Sequence, residues 1–376
     1  MTAPAATRSF DVVVAGAGII GSSVAWDLAR RGLSVAVLES AERPGRESSA
    51  AAGGVLAPNA EAEAGSALYD LKRRSLDLFP AYVADVRDET GIDCEFRRDG
   101  LLALATTDEE ERENEKREAL VRAAGGKVER LSARETLARE PAVSPSVRSA
   151  LFFPDEAQTE SARLSEAVAV AARRKGAVFF FGRPAQRVIA SGSRVVGVET
   201  PSGPIACATV VVAAGAWSRG IAGLPLDPPV KPIRGQIVVL RAPAPPLRAV
   251  LSSGEIYAVP RSDGRVLLGA TVEDAGFDKS VTADGVRWLL DGGVRAVPSF
   301  GALAIETSWA GLRPEAADHL PIVGRTPGLD GLVLATGHFR AGIVLAPLTM
   351  RAVGDLVAEG KETAGLECCS PARFAR

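Results

Sequence analysis

Histidine is nearly absent: the 376 residues contain two, His319 and His338. That scarcity disfavours chemistry built on an obligatory histidine base. Cysteine is also sparse. Cys94, Cys207, Cys368 and Cys369 have no paired metal spacing, and the adjacent Cys368 and Cys369 do not readily bridge each other. Reduced thiols are expected, with no disulfide framework and no metal site. Neither sign of charge dominates, with 44 basic against 46 acidic residues and a net of −2, which argues against nucleic acid as the main partner. Long apolar runs are missing, and the head Met1–Ser9 is short and polar, unlike a signal peptide. A soluble, cytoplasmic protein without membrane attachment is expected. What the chain does have is length and a 47% hydrophobic content, enough for two domains or one large α/β body.

The most informative stretch is Phe10–Glu39. Phe10–Ala15 is apolar and β-branched and suits a buried parallel strand. Gly16-Ala17-Gly18-Ile19-Ile20-Gly21 follows, then an apolar-periodic helix Ser22–Arg31, then a second strand Ser34–Leu38 ending at Glu39. Gly16 suits the tight turn, Gly18 lets backbone approach a pyrophosphate, and Gly21 lets helix pack on strand. The pyrophosphate would rest on the helix N-terminus, with no lysine required. Glu39 stands where a carboxylate accepts from adenosine ribose hydroxyls. The order predicts a bound dinucleotide; the plainer alternative is a βαβ unit whose glycines serve packing alone.

Ala41–Pro58 reads as a loop of small residues, with Arg46, Ser48, Ser49 and Ala50–Gly54 leaving backbone free for a flat ligand. Helices are expected at Ala67–Thr90, at the solvated charged segment Asp108–Ala124 and at the amphipathic Ser161–Lys175. Glu95–Ala105 alternates as two strands about an Asp99-Gly100 turn. Strands are expected at Ala177–Phe181, Arg187–Glu199 and Thr209–Ala213, the last running into a second glycine turn at Ala214–Ser218. After a proline-dense passage, Val230–Leu240, Glu255–Pro260, Arg265–Ala270 and Leu303–Ala310 read as antiparallel strands, interrupted by a helix at Thr282–Val297. Buried-strand character returns at Gly331–Ala335, followed by a helix from about Gly342 to Ala358. The fold class expected is α/β: a Rossmann-like βαβ domain interrupted by a β-rich antiparallel domain. Residues 1–85, 160–225 and 320–376 would form the first, and 86–159 and 226–319 the second.

Four motifs together form a pattern. The glycine turn, the Arg46–Gly54 loop, Gly311-Leu312-Arg313-Pro314 and Gly337-His338-Phe339-Arg340-Ala341-Gly342-Ile343 stand in the order found in amine-oxidising flavoproteins. From about Phe10 to Glu362 the chain resembles the D-amino-acid oxidase superfamily, and within it the glycine oxidases of bacterial thiamine biosynthesis. The resemblance implies non-covalent FAD, since no cysteine lies near Gly311–Val323, where sarcosine-oxidase relatives carry one. It implies that Gly16, Gly18, Ile19, Ile20, Gly21, Glu39 and Ser40 serve the ADP half. Ser48, Ala52, Gly53 and Gly54 would lie along the phosphates and flavin ring, and Ala185 would contact the adenine side. His338, Phe339, Arg340, Ala341, Gly342, Ile343 and Val344 would face the isoalloxazine, with a helix N-terminus favouring negative charge there. His338 itself reads as a hydrogen-bonded structural histidine.

By the same resemblance Arg313 and Tyr257 would hold the substrate carboxylate, a role that suits a planar fork, and Arg340 would add charge beside the flavin. Ala341 stands where some glycine oxidases have asparagine, and Glu255 where some have histidine. Strand periodicity puts Glu255 on the face of Tyr257, where it would repel a second acid group on a substrate. The implied reaction is hydride transfer from a neutral amino acid to flavin N5, imine hydrolysis to glyoxylate or another 2-oxo acid plus ammonia, and reoxidation by dioxygen to hydrogen peroxide. The partners implied are a small amino acid and dioxygen, in a homo-oligomer. Sarcosine or D-amino-acid oxidation, a dehydrogenase serving a quinone or partner protein, a non-catalytic flavoprotein and an NAD-linked dehydrogenase are the alternatives.

Overall fold

The computed structural model describes residues 9–375 apart from residue 64. The polar head Met1–Arg8 and the terminal Arg376 lie outside the described residues. Two large sheets organise the chain. The first is largely parallel and runs in the order Ile322–Arg325, Leu332–Thr336, Ile205–Val212, Ser9–Ala15, Val35–Leu38 and Val178–Phe180. A hairpin, Arg187–Ser191 with Arg194–Glu199, extends it from Ile205–Val212. Its central strand is a run of valines that are 0–1% exposed, the composition of a strand covered on both faces.

The helices Ile19–Arg30, Ala67–Thr90, Ser161–Arg174 and Ala346–Glu359 pack together on one face. They share an apolar core with the sheet that includes Trp26, Phe79, Leu164 and Val353. The Trp26 and Tyr82 rings meet at a tilt of 57° with centroids 6.0 Å apart, and the Tyr82 hydroxyl lies 2.6 Å from Ser23 Oγ, which joins the first and second of these helices. Each large side chain buried here contributes roughly 1.5–3 kcal/mol.

The second sheet runs in the order Ala304–Ala316, Val230–Arg241, Arg265–Gly269, Ile256–Pro260, Val250–Ser253, Leu101–Ala105, Ser149–Phe153 and Glu129–Ser132. The helix Ala283–Ala296 covers one face of it. The other face, which carries Trp309, turns toward Tyr69 and Val121. No helix of the described residues is long and apolar enough to cross a membrane.

Three local expectations are corrected. Glu95–Ala105 does not form a hairpin: Arg97 pairs with the distant Gln158, Glu95 adopts a φ of 50°, and Leu101–Ala105 alone is a strand. The strand expected to stop at Ala310 continues to Ala316, because each residue from Gly311 through Ala316 pairs with Val230–Gly235, so Gly311–Pro314 lies within a strand. The last helix begins at Ala346 instead of Gly342, after a short 3-10 turn over Phe339–Ala341.

Candidate active site

An elongated cavity of about 390 Å³ lies at the carboxyl edge of the parallel strands, where open α/β sheets bind their ligands. Glu39, Ser40 and Ala185 line one part of it. Gly16, Gly18, Ile19, Ile20, Ser48 and Ala52–Gly54 line the middle. Tyr257, Arg313 and Arg340 line the part contributed by the second sheet and the final turn, together with His338, Phe339, Gly342 and Ile343. Of the cofactor residues anticipated above, Gly21, Ala341 and Val344 do not line the cavity. Ala341 and Val344 belong to the core beneath it.

The glycine turn is held by sterics and by one carboxylate. Gly16 has a φ of +105°, and a Cβ there would stand 2.5 Å from the Ala213 carbonyl oxygen. At Gly21 a Cβ would collide with the Gly16 carbonyl, which is the helix-on-strand packing anticipated for it. The Glu39 carboxylate accepts from Ala17 N at 2.8 Å, from Ala41 N at 2.8 Å and from Ser40 Oγ at 3.1 Å. It is 9% exposed, and a carboxylate accepts about four such bonds. Ser49 Oγ accepts from Ile19 N at 2.9 Å at the head of the first helix, and Ser48 Oγ donates to the Leu312 carbonyl. The small-residue loop is thus tied both to the turn and to the Arg313 strand.

The substrate-side cluster is equally specified. Arg313 Nη1 donates to the Thr271 carbonyl at 2.8 Å and to the Arg234 carbonyl at 3.4 Å. Gly235 leaves room for this guanidinium, since any Cβ there would overlap it. Tyr257 lies between Gly53 and Gly269, and burial raises its phenol above the ordinary value. Arg340 Nη2 contacts Glu61 Oε1 at 3.1 Å, and Glu61 Oε2 accepts from Lys72 Nζ at 2.9 Å. Desolvation against the cavity wall opposes ionisation of Glu61, but its side chain remains 39% exposed, and Lys72 and Arg340 hold the carboxyl below its ordinary value. His338 is buried, its Nε2 is 3.0 Å from Thr349 Oγ1, and burial lowers its pKa to about 4, so the ring is neutral.

Glu255 is not the carboxylate of this site. It sits in the turn after Gly254, whose φ is 56°, and the strand starts one residue later at Ile256. It is exposed and lines a separate surface hollow beside Trp288 and Arg295. The acid that does reach the substrate end of the cavity, Glu61, was missed: its loop carries no motif and reaches the cavity through tertiary packing alone. Asn59, two residues earlier, is fixed by Glu156 Oε1 on its backbone N–H at 2.8 Å and by the Tyr69 hydroxyl at 2.9 Å. Arg261 was also missed. It is 1% exposed and donates to the Gly53 carbonyl at 2.8 Å and the Thr159 carbonyl at 3.0 Å. Its place directly after the strand ending at Pro260 was the available signal.

Comparison with known proteins places the chain in a family. The chain matches the DAO family, FAD dependent oxidoreductase, over residues 11–356. It is 36% identical to a glycine oxidase of Geobacillus kaustophilus over 95% of each chain. The crystal structure of glycine oxidase from that organism matches with a TM-score of 0.94 at 35% identity, covering 98% of this chain and 100% of that one. Hydrogen cyanide synthase subunit HcnC of Pseudomonas aeruginosa is 33% identical over 91% of each chain. A bifunctional protein ThiO/ThiG of Trichormus variabilis is 34% identical over 93% of this chain and 53% of its own.

The cavity's own residues fit FAD. One continuous space joins the Glu39 carboxylate, the glycine turn and the Ala52–Gly54 backbone, and a Cβ at Gly53 or Gly54 would obstruct it or its wall. The chain belongs to the DAO family and is an FAD-dependent amine oxidoreductase similar to the glycine oxidases.

Proposed function

We propose that this protein oxidises the amine of a small amino acid, glycine foremost, with sarcosine and small D-amino acids as substrates of the same geometry. The observation that carries this reading is the presence of Arg313 and Tyr257 in the cavity that contains the dinucleotide turn. Arg313 is fixed by two backbone carbonyls, and its guanidinium fork matches the two oxygens of a carboxylate. The Tyr257 phenol stays protonated and donates to the same group. Together they hold the α-carbon in one place, which is where most of the rate advantage of such a site arises. FAD, when bound, supplies the two-electron oxidant for the α-carbon–hydrogen bond, and its reoxidation by dioxygen yields hydrogen peroxide.

The substrate amine must be neutral to yield an imine. No histidine on this chain takes its proton: His338 is engaged with Thr349, and His319 is exposed beside Glu315. The rate therefore rises with pH through the ionisation of the amine itself. Glycine, dioxygen and water give glyoxylate, ammonia and hydrogen peroxide. Likeness to the glycine oxidases and to a ThiO/ThiG protein supports a place in thiamine biosynthesis. A second reading is a dehydrogenase, in which the same oxidation passes electrons to an acceptor other than dioxygen.

The test is addition of glycine to the FAD-loaded protein without oxygen. Bleaching of the visible spectrum, with colour and peroxide returning in air, is the expected result. Bleaching without reoxidation in air selects the second reading. A spectrum unmoved by glycine, sarcosine and D-alanine overturns the proposal.

A further inference from the structure

We propose that Glu61 sets the charge the substrate pocket accepts, by occupying Arg340 so that Arg313 is the cation left open to substrate. The inference rests on the amine-oxidation reading above and deepens it: the pocket is built for amino acids with one acid group.

Two cations and one anion line the substrate end of the cavity, Arg313, Arg340 and Glu61. Of the other lining carboxylates, Glu39 is held by the glycine turn, and Glu47 is paired at 3.0 Å with Lys279 on the loop before the Ala283–Ala296 helix. Glu61 is gripped from both sides. Lys72 holds Oε2 from within the fold, with its side chain 8% exposed, and Arg340 meets Oε1 from the cavity side. Lys72 is already neutralised, and Glu61 is not free to withdraw when a ligand arrives. A substrate whose amine is neutral carries one negative charge, which Arg313 matches. A second acid group on the same substrate would have to take Arg340 from Glu61 and sit beside the Glu61 carboxylate. Like charges a few ångströms apart at a partly exposed site repel strongly enough to matter, and salt screens the effect.

The experiment uses the FAD-loaded full chain and reads discrimination instead of activity alone. Efficiency is measured with glycine and with iminodiacetate, and dissociation constants of acetate and malonate are taken from the perturbed flavin spectrum. Glu61→Gln keeps the shape and removes the charge. It is expected to raise the ratio of dicarboxylate to monocarboxylate efficiency by about tenfold or more, mostly in KM, with a matching shift in the malonate-to-acetate binding ratio that high salt weakens. Lys72→Met acts in the opposite direction, because it leaves the Glu61 charge less compensated and lowers both ratios. A purely structural role for Glu61 would reduce binding of both classes together.

Ratios unchanged within about twofold in both variants, or moved the same way in both, overturn the proposal. The acid-binding ratios need no turnover. If no amino acid reduces the wild-type flavin, the oxidation reading falls while the charge rule is still decided by acetate against malonate. If one variant fails to retain FAD, the sign of the other decides.

Discussion

The phenol of Tyr257 lies across Gly53 so closely that a Cβ at position 53 would stand 2.6 Å from the Tyr257 hydroxyl. Gly269 meets the ring from another side, where a Cβ would stand 2.5 Å from the same oxygen. Two glycines from different parts of the chain thus define one tyrosine position. Gly53→Ala is expected to displace the ring and cut kcat/KM by about tenfold or more, the scale of overpacking a fitted site. Tyr257→Phe, which removes a donor to a charged carboxylate, is expected to raise KM by a comparable factor. The double variant should lose less than the product of the two, because both act through the same hydroxyl. Steady-state kinetics of the three proteins check this, and full multiplicativity would disprove the shared mechanism.

Arg313 is expected to dominate substrate recognition. Replacement by Ala removes two charge-assisted hydrogen bonds to the carboxylate and should lower kcat/KM by about a thousandfold while leaving bound FAD in place. Arg313→Lys should rescue little, because an ammonium lacks the fork and reaches neither the Thr271 nor the Arg234 carbonyl in the same geometry. Efficiency on glycine and its analogues that survives Arg313→Ala unchanged would remove this residue from the carboxylate site.

The parts of the fold that were legible in the sequence are those fixed by local chemistry. The turn at Gly16–Gly21 combines a positive φ with two close backbone approaches, and only glycine meets those demands, so its spacing is a direct record of geometry. The Ala67–Thr90 helix was readable to the residue, with Gly91 closing it at a φ of 73°. Glu255 was misassigned because period-two reasoning holds only inside a strand, and the turn at Gly254 delays the strand to Ile256, one residue too late for Glu255 to share it. Glu61 and Arg261 were illegible for a different reason. Each reaches the cavity wall by contacts more than a hundred residues away, Glu61 with Arg340 and Arg261 with Gly53 and Thr159, and no spacing rule records those.

Arg261 is expected to matter for cofactor retention more than for turnover. Its guanidinium ties the Gly53 carbonyl to the Thr159 carbonyl and lies 3.5 Å from Glu160 through Nε. Arg261→Leu leaves two carbonyls without their donor and loosens the backbone at Gly53 and Gly54. The FAD dissociation constant should rise by about tenfold or more, measured by recovery of flavin fluorescence on dilution. At saturating FAD the KM for substrate should change far less. Equal effects on both would mean that Arg261 supports the whole cavity and not the cofactor loop in particular.

Glu156 and His338 give the fold a predictable response to pH. Burial raises the Glu156 carboxyl from 4.5 to about 8, against weaker help to the anion from Asn59. The folded state therefore holds a proton that the unfolded chain has released, and this stabilisation is complete below pH 4.5 and lost as pH rises toward about 8. Burial lowers His338 from 6.5 to about 4, so the folded state refuses a proton that the unfolded chain takes up below 6.5. Its stabilisation is present above 6.5 and lost as pH falls toward 4. The two oppose each other between about pH 4.5 and 6.5, and above that Glu156 acts alone. Stability with saturating FAD should decline by about 2 kcal/mol between roughly pH 6.5 and 8 on its account. Glu156→Gln keeps an acceptor for the Asn59 N–H and has nothing to ionise. Denaturant unfolding at the two pH values should show the decline in the wild type and its loss in the variant. A variant that declines as steeply as the wild type would mean that Glu156 is already ionised in the fold at neutral pH.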